Sequence, residues 1–389
     1  MSHALFSRNS DLARLRQEGY FVQVRGGLLV MREVPYVNAQ REVKLGTLAC
    51  GLDLAGDQTR RPETHVVHFD GEYPCTAEGT PIHQISHQSV VQDLGHGVRA
   101  KHSFSSKPAG GYADYYEKMT TYAAILSGPA QVLKPGVSAR VFRAPEDEEE
   151  SVFNYAETAS DRVGIGALTE RFVNERVAII GVGGTGSYVL DLVSKTPVRE
   201  IRVMDSDEFL QHNAFRAPGA PSIEELREVP VKVNHFAGIY SRMHRGIVAH
   251  PAIDAGNVHL LDGITFAFVC IDVGAAKRAV VGKLETLGVS FIDVGMGLEL
   301  VEGSLGGILR VTVSTPGNRA EARSRMSFAP GDEKDIYSSN IQVADLNALN
   351  AALAVVKWKK LIGFYRDLER ELHSSYTTDG NMLINGSGT

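Results

Sequence analysis

Residues 205 to 232 concentrate side chains suited to handling a polyphosphate: Asp205, Asp207, Asn213, Arg216 and Lys232, with Asp272 following later in the chain. Arginine and lysine neutralise phosphate charge, and a carboxylate can hold a divalent cation against phosphate oxygens. Just ahead of them the chain reads GVGGTGS. Gly181, Gly183, Gly184 and Gly186 there separate the apolar run Val177 to Ile180 from a second apolar stretch that begins at Tyr188. Glycines lack a Cβ, so the backbone can turn sharply and approach an anion closely. A helix starting at that turn offers unpaired N–H groups and the positive end of its dipole. Strand, glycine turn and helix start together make the phosphate-binding corner of a Rossmann-type sheet.

Dehydrogenases, methyltransferases and nucleotidyltransferases all use such a corner, so the residues after it decide the chemistry. Asp205 ends the second strand, nineteen residues past Gly186. In a dehydrogenase that acid would hold the adenosine ribose of NAD. A nicotinamide dinucleotide does not require an arginine and a lysine after the second strand. A triphosphate attacked at its α-phosphate by another anion does, because two negative groups must be brought together.

A second constellation lies near the N-terminus, where Cys75, Glu78, His83 and His87 stand in C-x2-E-x4-H-x3-H spacing. A thiolate, a carboxylate and two imidazoles within so short a stretch can converge on a tetrahedral cation such as zinc. The competing reading is a set of hydrogen-bonded loop histidines, since His65, His68, His96 and His102 crowd the same region.

The elements that must position these residues fall into two domains. Residues 1–145 read as a smaller α+β domain, with a β-hairpin around Arg25-Gly26-Gly27 and a helix from about Gly111 to Leu126, stopped by Ser127-Gly128-Pro129. The acidic run APEDEEE repels itself and introduces a linker, residues 146–159, with the boundary between Ala144 and Ala159. From 160 to 368 strands and helices alternate: strands at VAIIG, IRVMD, GIVAHPA, FAFVCID and VSFIDVGM, helices at 185–195, 231–244 and 274–287. That alternation predicts an α/β fold with a doubly wound, mainly parallel sheet. LGGILRVTVS has no helix after it and suggests added antiparallel strands, and a long helix from Ala344 to about Leu368 covers the sheet. Residues 369–389 read as a loose tail.

Composition narrows the function class. With 389 residues, 43% hydrophobic and 22% charged, the chain can bury two cores. A net charge of −6 gives no general attraction to nucleic acid or to an anionic membrane. The N-terminal residues lack the apolar core of a signal peptide, and lysines interrupt the longest apolar helix. Three cysteines, Cys50, Cys75 and Cys270, are too few for a disulfide framework, so the expected location is the reducing cytoplasm.

Taken in order, GVGGTGS, Asp205-Ser-Asp207, Asn213-x-x-Arg216, Lys232 and CID at 270–272 resemble the signature of the ThiF/MoeB superfamily, the ubiquitin-activating enzymes and their bacterial relatives. The resemblance covers residues 160 to about 365. The N-terminal region resembles the Cys-Glu-His-His (CEHH) domain fused to some bacterial members. What the resemblance implies is adenylation: the C-terminal carboxylate of a ubiquitin-like protein attacks the α-phosphate of Mg-ATP, releasing pyrophosphate. In that scheme Gly181, Gly183, Gly184 and Gly186 bed the phosphates, and Asp205 holds the ribose with Asp207 beside it. Asn213, Arg216 and Lys232 face the phosphates, and Asp272 binds magnesium. An arginine from a helix before the first strand would join them, Arg162 or behind it Arg171. Relatives are homodimers, some act beside a conjugating enzyme, and a nucleotide-binding scaffold that only recruits such partners is the non-enzymatic alternative.

The chain departs from thioester-forming relatives in having no cysteine after Cys270, which itself falls in an expected buried strand. Three routes stay open. The adenylate passes directly to a partner's nucleophile, or to Cys75, or to a hydroxyl of Ser338 or Ser339. A hydroxyl is the weakest nucleophile of these at neutral pH.

Overall fold

The computed structural model describes residues 2–143, 151–155, 157, 160, 165–272, 274–328 and 341–386. The chain divides into two compact units, residues 1–170 and 171–389. Residues 144–150, which hold the acidic run, lie outside the described residues.

In the first unit, helix α1 (Ser10–Gln17) precedes a six-stranded antiparallel sheet. Its strands are β1 (Val22–Arg25), β2 (Leu28–Val37), β3 (Val43–Gly51), β4 (Val66–Asp70), β5 (Ser86–Gln88) and β6 (His102–Ser105), in the order β1-β2-β3-β4-β6-β5. The β1–β2 hairpin turns on Gly26-Gly27, with Gly26 at φ +58°. Helix α2 (Tyr115–Leu133) starts at Asp114, whose carboxylate accepts the Glu117 N–H at 2.8 Å as an N-cap. It packs Tyr115, Met119, Tyr122, Ala123 and Leu126 into the core with Leu29, Met31 and Phe69 of the sheet. Contrary to the expected stop, α2 runs through Pro129 to Leu133. Burial of Leu126, Ser127 and Ala130 holds the turn together, and Gly128 has no Cβ to meet the proline ring.

The second unit is built on an eight-stranded sheet of order β9-β8-β7-β10-β11-β12-β13-β14. The strands are β7 (Arg176–Ile180), β8 (Glu200–Met204), β9 (Ile247–His250), β10 (Phe266–Val269), β11 (Ser290–Val301), β12 (Ser304–Ser314), β13 (His373–Thr377) and β14 (Met382–Gly386). The first five pair in parallel and the last three are antiparallel. Strand β7 shows how helices cover both faces. Val177 and Ile179 pack with helices α3 (Gly184–Val193), α4 (Lys232–Tyr240) and α6 (Ala344–Leu361), whereas Ala178 and Ile180 pack with α5 (Ala275–Thr286). Alternate side chains of a strand point to opposite faces, so a strand buried on both reads as one apolar run. The fold is therefore Rossmann-like and doubly wound, with antiparallel strands added at one side.

Two expectations for the C-terminal region need correction. Helix α6 ends at Leu361, not near Leu368. Gly363 takes φ +77°, its N–H bonds Lys360 O at 2.9 Å and the Phe364 N–H bonds Lys359 O at 2.8 Å, which is a Schellman stop. The tail is not loose either. Residues 373–377 add to the edge of β12 and residues 382–386 fold back on them. Ladder hydrogen bonds and the Ser374 Oγ to Asn385 Oδ1 bond (2.7 Å) hold this hairpin, whose apolar residues Met382, Leu383 and Ile384 stay exposed.

Candidate nucleotide-binding site

Every element that ends at the cleft does so at the carboxyl edge of the parallel strands, beside the place where strand order reverses about β7. Open α/β sheets bind ligands in that crevice. The cleft encloses about 650 Å3 and brings together Gly181, Gly183, Gly184, Asp205, Asp207, Arg216, Lys232 and Asp272. Its floor needs glycine for steric reasons. Gly181 sits at φ +88°, and a Cβ there would meet Ile271 Cγ2 at 2.7 Å and Cys270 O at 2.8 Å. A Cβ on Gly186 would overlap the Gly181 carbonyl oxygen, so helix α3 can press against the turn only without one. Gly183 is different: a Cβ there meets nothing within 4 Å. It is the N-cap of α3 and supplies no side-chain cap. The first N–H groups of the helix are thus left for an anion.

Asp205 braces this turn. Its Oδ2 accepts the Val182 N–H at 2.9 Å and its Oδ1 accepts the Asp207 N–H at 2.9 Å. One carboxylate therefore ties the glycine turn to the segment after β8. Lys232 opens α4 and is 6% exposed, with Nζ 2.6 Å from Asp207 Oδ2 and its N–H donating to Asp207 O at 2.8 Å. Arg216 is half-buried in the wall. Asp272 follows β10 and is exposed. His212 also lines the cleft. Burial, then the charges of Arg216 and Lys232, disfavours its imidazolium.

The far wall consists of Val294, Gly295 and Met296 of β11, with Gln342 and Asn350. Asn347 joins it to the glycine turn, accepting from Thr185 Oγ1 at 3.0 Å and donating to Arg216 O at 3.2 Å. Behind this wall Lys277 and Asp293 form an ion pair at 2.6 Å, their side chains 3% and 0% exposed. Sequence reading passed over His212, Asn347, Asn350 and the Lys277–Asp293 pair. Asparagine is a poor helix former, but the helix that carries Asn347 and Asn350 also carries Asp345, Lys357, Lys359 and Lys360, so its pattern did not single them out.

Other expected residues lie elsewhere. Asn213 is 3% exposed and not on the cleft; its Oδ1 accepts the Leu210 N–H at 2.8 Å and holds the turn before Arg216. Arg171 donates to Gly363 O at the end of α6. Arg162, Ser338 and Ser339 lie outside the described residues. Cys270 lines the cleft rather than lying wholly in the core, and burial, then the Asp293 charge, pushes its thiol up.

The expected zinc set is not gathered. Cys75 is 1% exposed, with Sγ donating toward Tyr73 O at 3.5 Å, and burial pushes its thiol up. His87 Nδ1 is 2.9 Å from Ser103 Oγ on the neighbouring strand β6. Glu78 is exposed in a turn and His83 packs against the Tyr73 ring. Among the described residues no three His, Cys, Asp or Glu side chains are placed to hold a metal ion. In this arrangement Cys75 is turned into the core, His87 is bonded to the sheet and His83 lies on an exposed turn, so the four side chains do not converge. Among the described residues no helix is long and apolar enough to cross a membrane.

A domain family of unknown function, DUF6791, matches residues 10–158, where the sequence led us to expect a CEHH domain. No curated protein matches the chain. Among solved structures, PaaA is 17% identical, covering 59% of this chain and 68% of its own, with a TM-score of 0.44. E. coli MccB with MccA is 16% identical over 59% of this chain and 70% of its own, TM-score 0.44. E. coli MccB with ATP is 16% identical over 58% and 67%, TM-score 0.43.

Proposed function

We propose that the second unit adenylates a carboxylate at the C-terminus of a ubiquitin-like protein or other peptide chain. The observation that carries this reading is the convergence of Arg216 and Lys232 on one cleft with the uncapped glycine turn and Asp272. A carboxylate oxygen of the incoming chain attacks the α-phosphorus of ATP, the bond to the bridging oxygen breaks, and pyrophosphate leaves with its electron pair. No proton has to move. Catalysis is therefore alignment of two anions and stabilisation of the charge that gathers between them.

The chain's own groups divide that work. The glycine turn and the first N–H groups of α3 hold phosphate oxygens. Lys232, kept in place by Asp207, and Arg216 oppose the charge at the α-phosphate. Asp205 faces the ribose while bracing the turn. Asp272 is an exposed carboxylate at the cleft edge and would hold Mg2+, which would supply neutralisation of the triphosphate charge. An NAD-dependent oxidoreductase would leave both cations without a task. Buried and protonated, Cys75 is a poor acyl acceptor, which favours direct transfer from the adenylate to a nucleophile on a partner such as a conjugating enzyme.

ATP–pyrophosphate exchange is the test. Purified chain should exchange labelled pyrophosphate into ATP only when Mg2+ and a chain with a free C-terminal carboxylate are both present. Exchange that persists with the C-terminus amidated would refute carboxylate activation.

A further inference from the structure

The first unit has a hollow of its own, on the face of its sheet turned away from the core. Phe21, Gln23 and Arg25 alternate along β1 and the residue before it, and all three point away from the core that takes Val22 and Val24. At one end of this face Leu28, Val30 and Ala49 are covered by residues 92–100. The uncovered end is a hollow of about 490 Å3, where Arg32, Glu33, Thr47 and Arg143 join those three side chains. A β-bulge shapes it: β2 gains one residue against β3 between Met31 and Val34, and Glu33 takes φ +57° there. A bulge re-aims side chains, and this one brings the neighbours Arg32 and Glu33 to the same hollow. Such left-handed conformations are uncommon outside glycine and cluster at binding and active sites.

The hollow is short of negative charge. The Arg143 guanidinium donates to Glu33 Oε1. Arg32 Nε donates to a neutral partner, Gln23 Oε1, at 3.1 Å. The half-buried Arg25 guanidinium has no hydrogen-bond or ion-pair partner among the described residues. Three guanidiniums thus share one carboxylate, and a charge drawn out of water calls for a counter-charge. Gln23 supplies an independent sign. It is 3% exposed, and accepting from Arg32 fixes its amide with Nε2 as the donor end. That Nε2 has no partner among the described residues, whereas buried polar groups are nearly always hydrogen-bonded. The unengaged groups of the wall are therefore donors, and the ligand that satisfies them is an anion with several acceptor oxygens.

We propose that this hollow binds a small organic phosphate monoester that carries a flat ring, of the nucleoside monophosphate kind. A phosphate monoester brings a charge of about −2 at neutral pH, which matches the two guanidiniums left without a carboxylate. Guanidinium forks pair with phosphate oxygens through parallel hydrogen bonds, and the Gln23 amide completes the set. The volume lies within the roughly 300–1,000 Å3 of small-ligand pockets, so a phosphoryl group fills only part of it. The Phe21 ring lines the remainder and offers a face for the ring of the ligand. The site lies wholly in the first unit and does not depend on the adenylation reading.

The test is calorimetric titration of the full chain, without Mg2+, with uridine monophosphate, its cyclic phosphodiester, uridine and inorganic phosphate. A pyrimidine is chosen because the cleft of the second unit is read as an adenosine site. Uridine monophosphate should bind in a saturable way. The cyclic diester, with one negative charge fewer, should bind at least about tenfold more weakly, as should inorganic phosphate, which has no ring; uridine should not bind. Arg25→Gln and Arg143→Gln should each weaken uridine monophosphate about tenfold or more, the scale of one charge-assisted hydrogen bond. Thermal unfolding checks that each variant folds. Arg143 is exposed, so its variant remains informative if Arg25→Gln does not fold. Undiminished affinity in a folded arginine variant places the ligand elsewhere and overturns the proposal. Equal binding of the cyclic diester, of uridine or of inorganic phosphate contradicts it too, as does the absence of saturable binding by uridine monophosphate.

Discussion

Replacing Lys277 by methionine removes one half of a buried ion pair whose side chains are 3% and 0% exposed and 2.6 Å apart. Breaking such a pair leaves a charge without compensation and costs about 3–5 kcal/mol. That is a large part of the roughly 5–15 kcal/mol that holds a domain together. Burial already pushes the Asp293 carboxyl above the ordinary carboxylate range, with Lys277 and then Arg310 pulling the other way. Without Lys277 the carboxyl rises further and takes up a proton, which limits the loss at low pH. A carboxyl whose folded pKa lies above its unfolded value gives stability that is lost as pH rises through the folded pKa. The penalty of Lys277→Met should therefore be larger at pH 8 than at pH 5. Trp358 is the only tryptophan of the chain and 0% exposed in the core of the second unit, so its fluorescence in urea reports on that unit alone. Replacing both members, Lys277→Met with Asp293→Val, should recover most of the loss, because apolar groups of matching shape replace a buried pair at little cost. A single-variant loss below about 1 kcal/mol, or a double variant as unstable as the sum of the singles, would refute the reasoning.

The nucleotide cradle and one histidine give further expectations. Gly186→Ala places a methyl on the Gly181 carbonyl; it should weaken Mg-ATP binding at least tenfold and lower stability by about 1–3 kcal/mol, read by calorimetry and by Trp358 in urea. Lys232→Gln keeps most of the side-chain length and removes the charge; exchange should fall about a hundredfold or more while the unfolding midpoint changes little. His373 is held down to about 4 by burial, with Arg325 and then Arg310 adding to it. Unfolded histidine titrates near 6.5, so the stability His373 contributes is present above about 6.5 and lost as pH falls toward 4. Tm should drop across that window in wild type and less in His373→Asn; identical pH profiles would contradict it.

The glycine corner was legible because its residues answer to local sterics: Gly181 and Gly186 admit no Cβ, and the four apolar residues before them fit only a strand buried on two faces. Arg216 and Lys232 lie well past the end of β8 at Met204, with the helices Gln211–Ala214 and Ile223–Arg227 in between, so only their order in the resembled signature, and no local pattern, tied them to the cleft. What escaped was tertiary in origin. The 373–386 hairpin leaves its apolar run Met382-Leu383-Ile384 exposed and gains its order from the edge of β12, which lies far away in sequence. Asn350 owes its position to the packing of α6 on β11, and nothing in the local pattern distinguishes it from a surface asparagine. Asn213 carries the expected spacing, yet it spends its side chain on the Leu210 N–H, so a motif residue acts there by holding Arg216's turn. In the first unit the C-x2-E-x4-H-x3-H spacing permitted a metal site, but strand pairing turned Cys75 inward and bonded His87 to Ser103.

The most direct test of the central claim is a crystal structure of the full chain with Mg2+ and a non-hydrolysable ATP analogue. The expected result places the α-phosphate within hydrogen-bond distance of Lys232 Nζ and the Arg216 guanidinium, with the β11 side of the cleft open for an incoming carboxylate. An α-phosphate out of reach of both cations, or the same cleft taking NAD with its nicotinamide over the glycine turn, would contradict it.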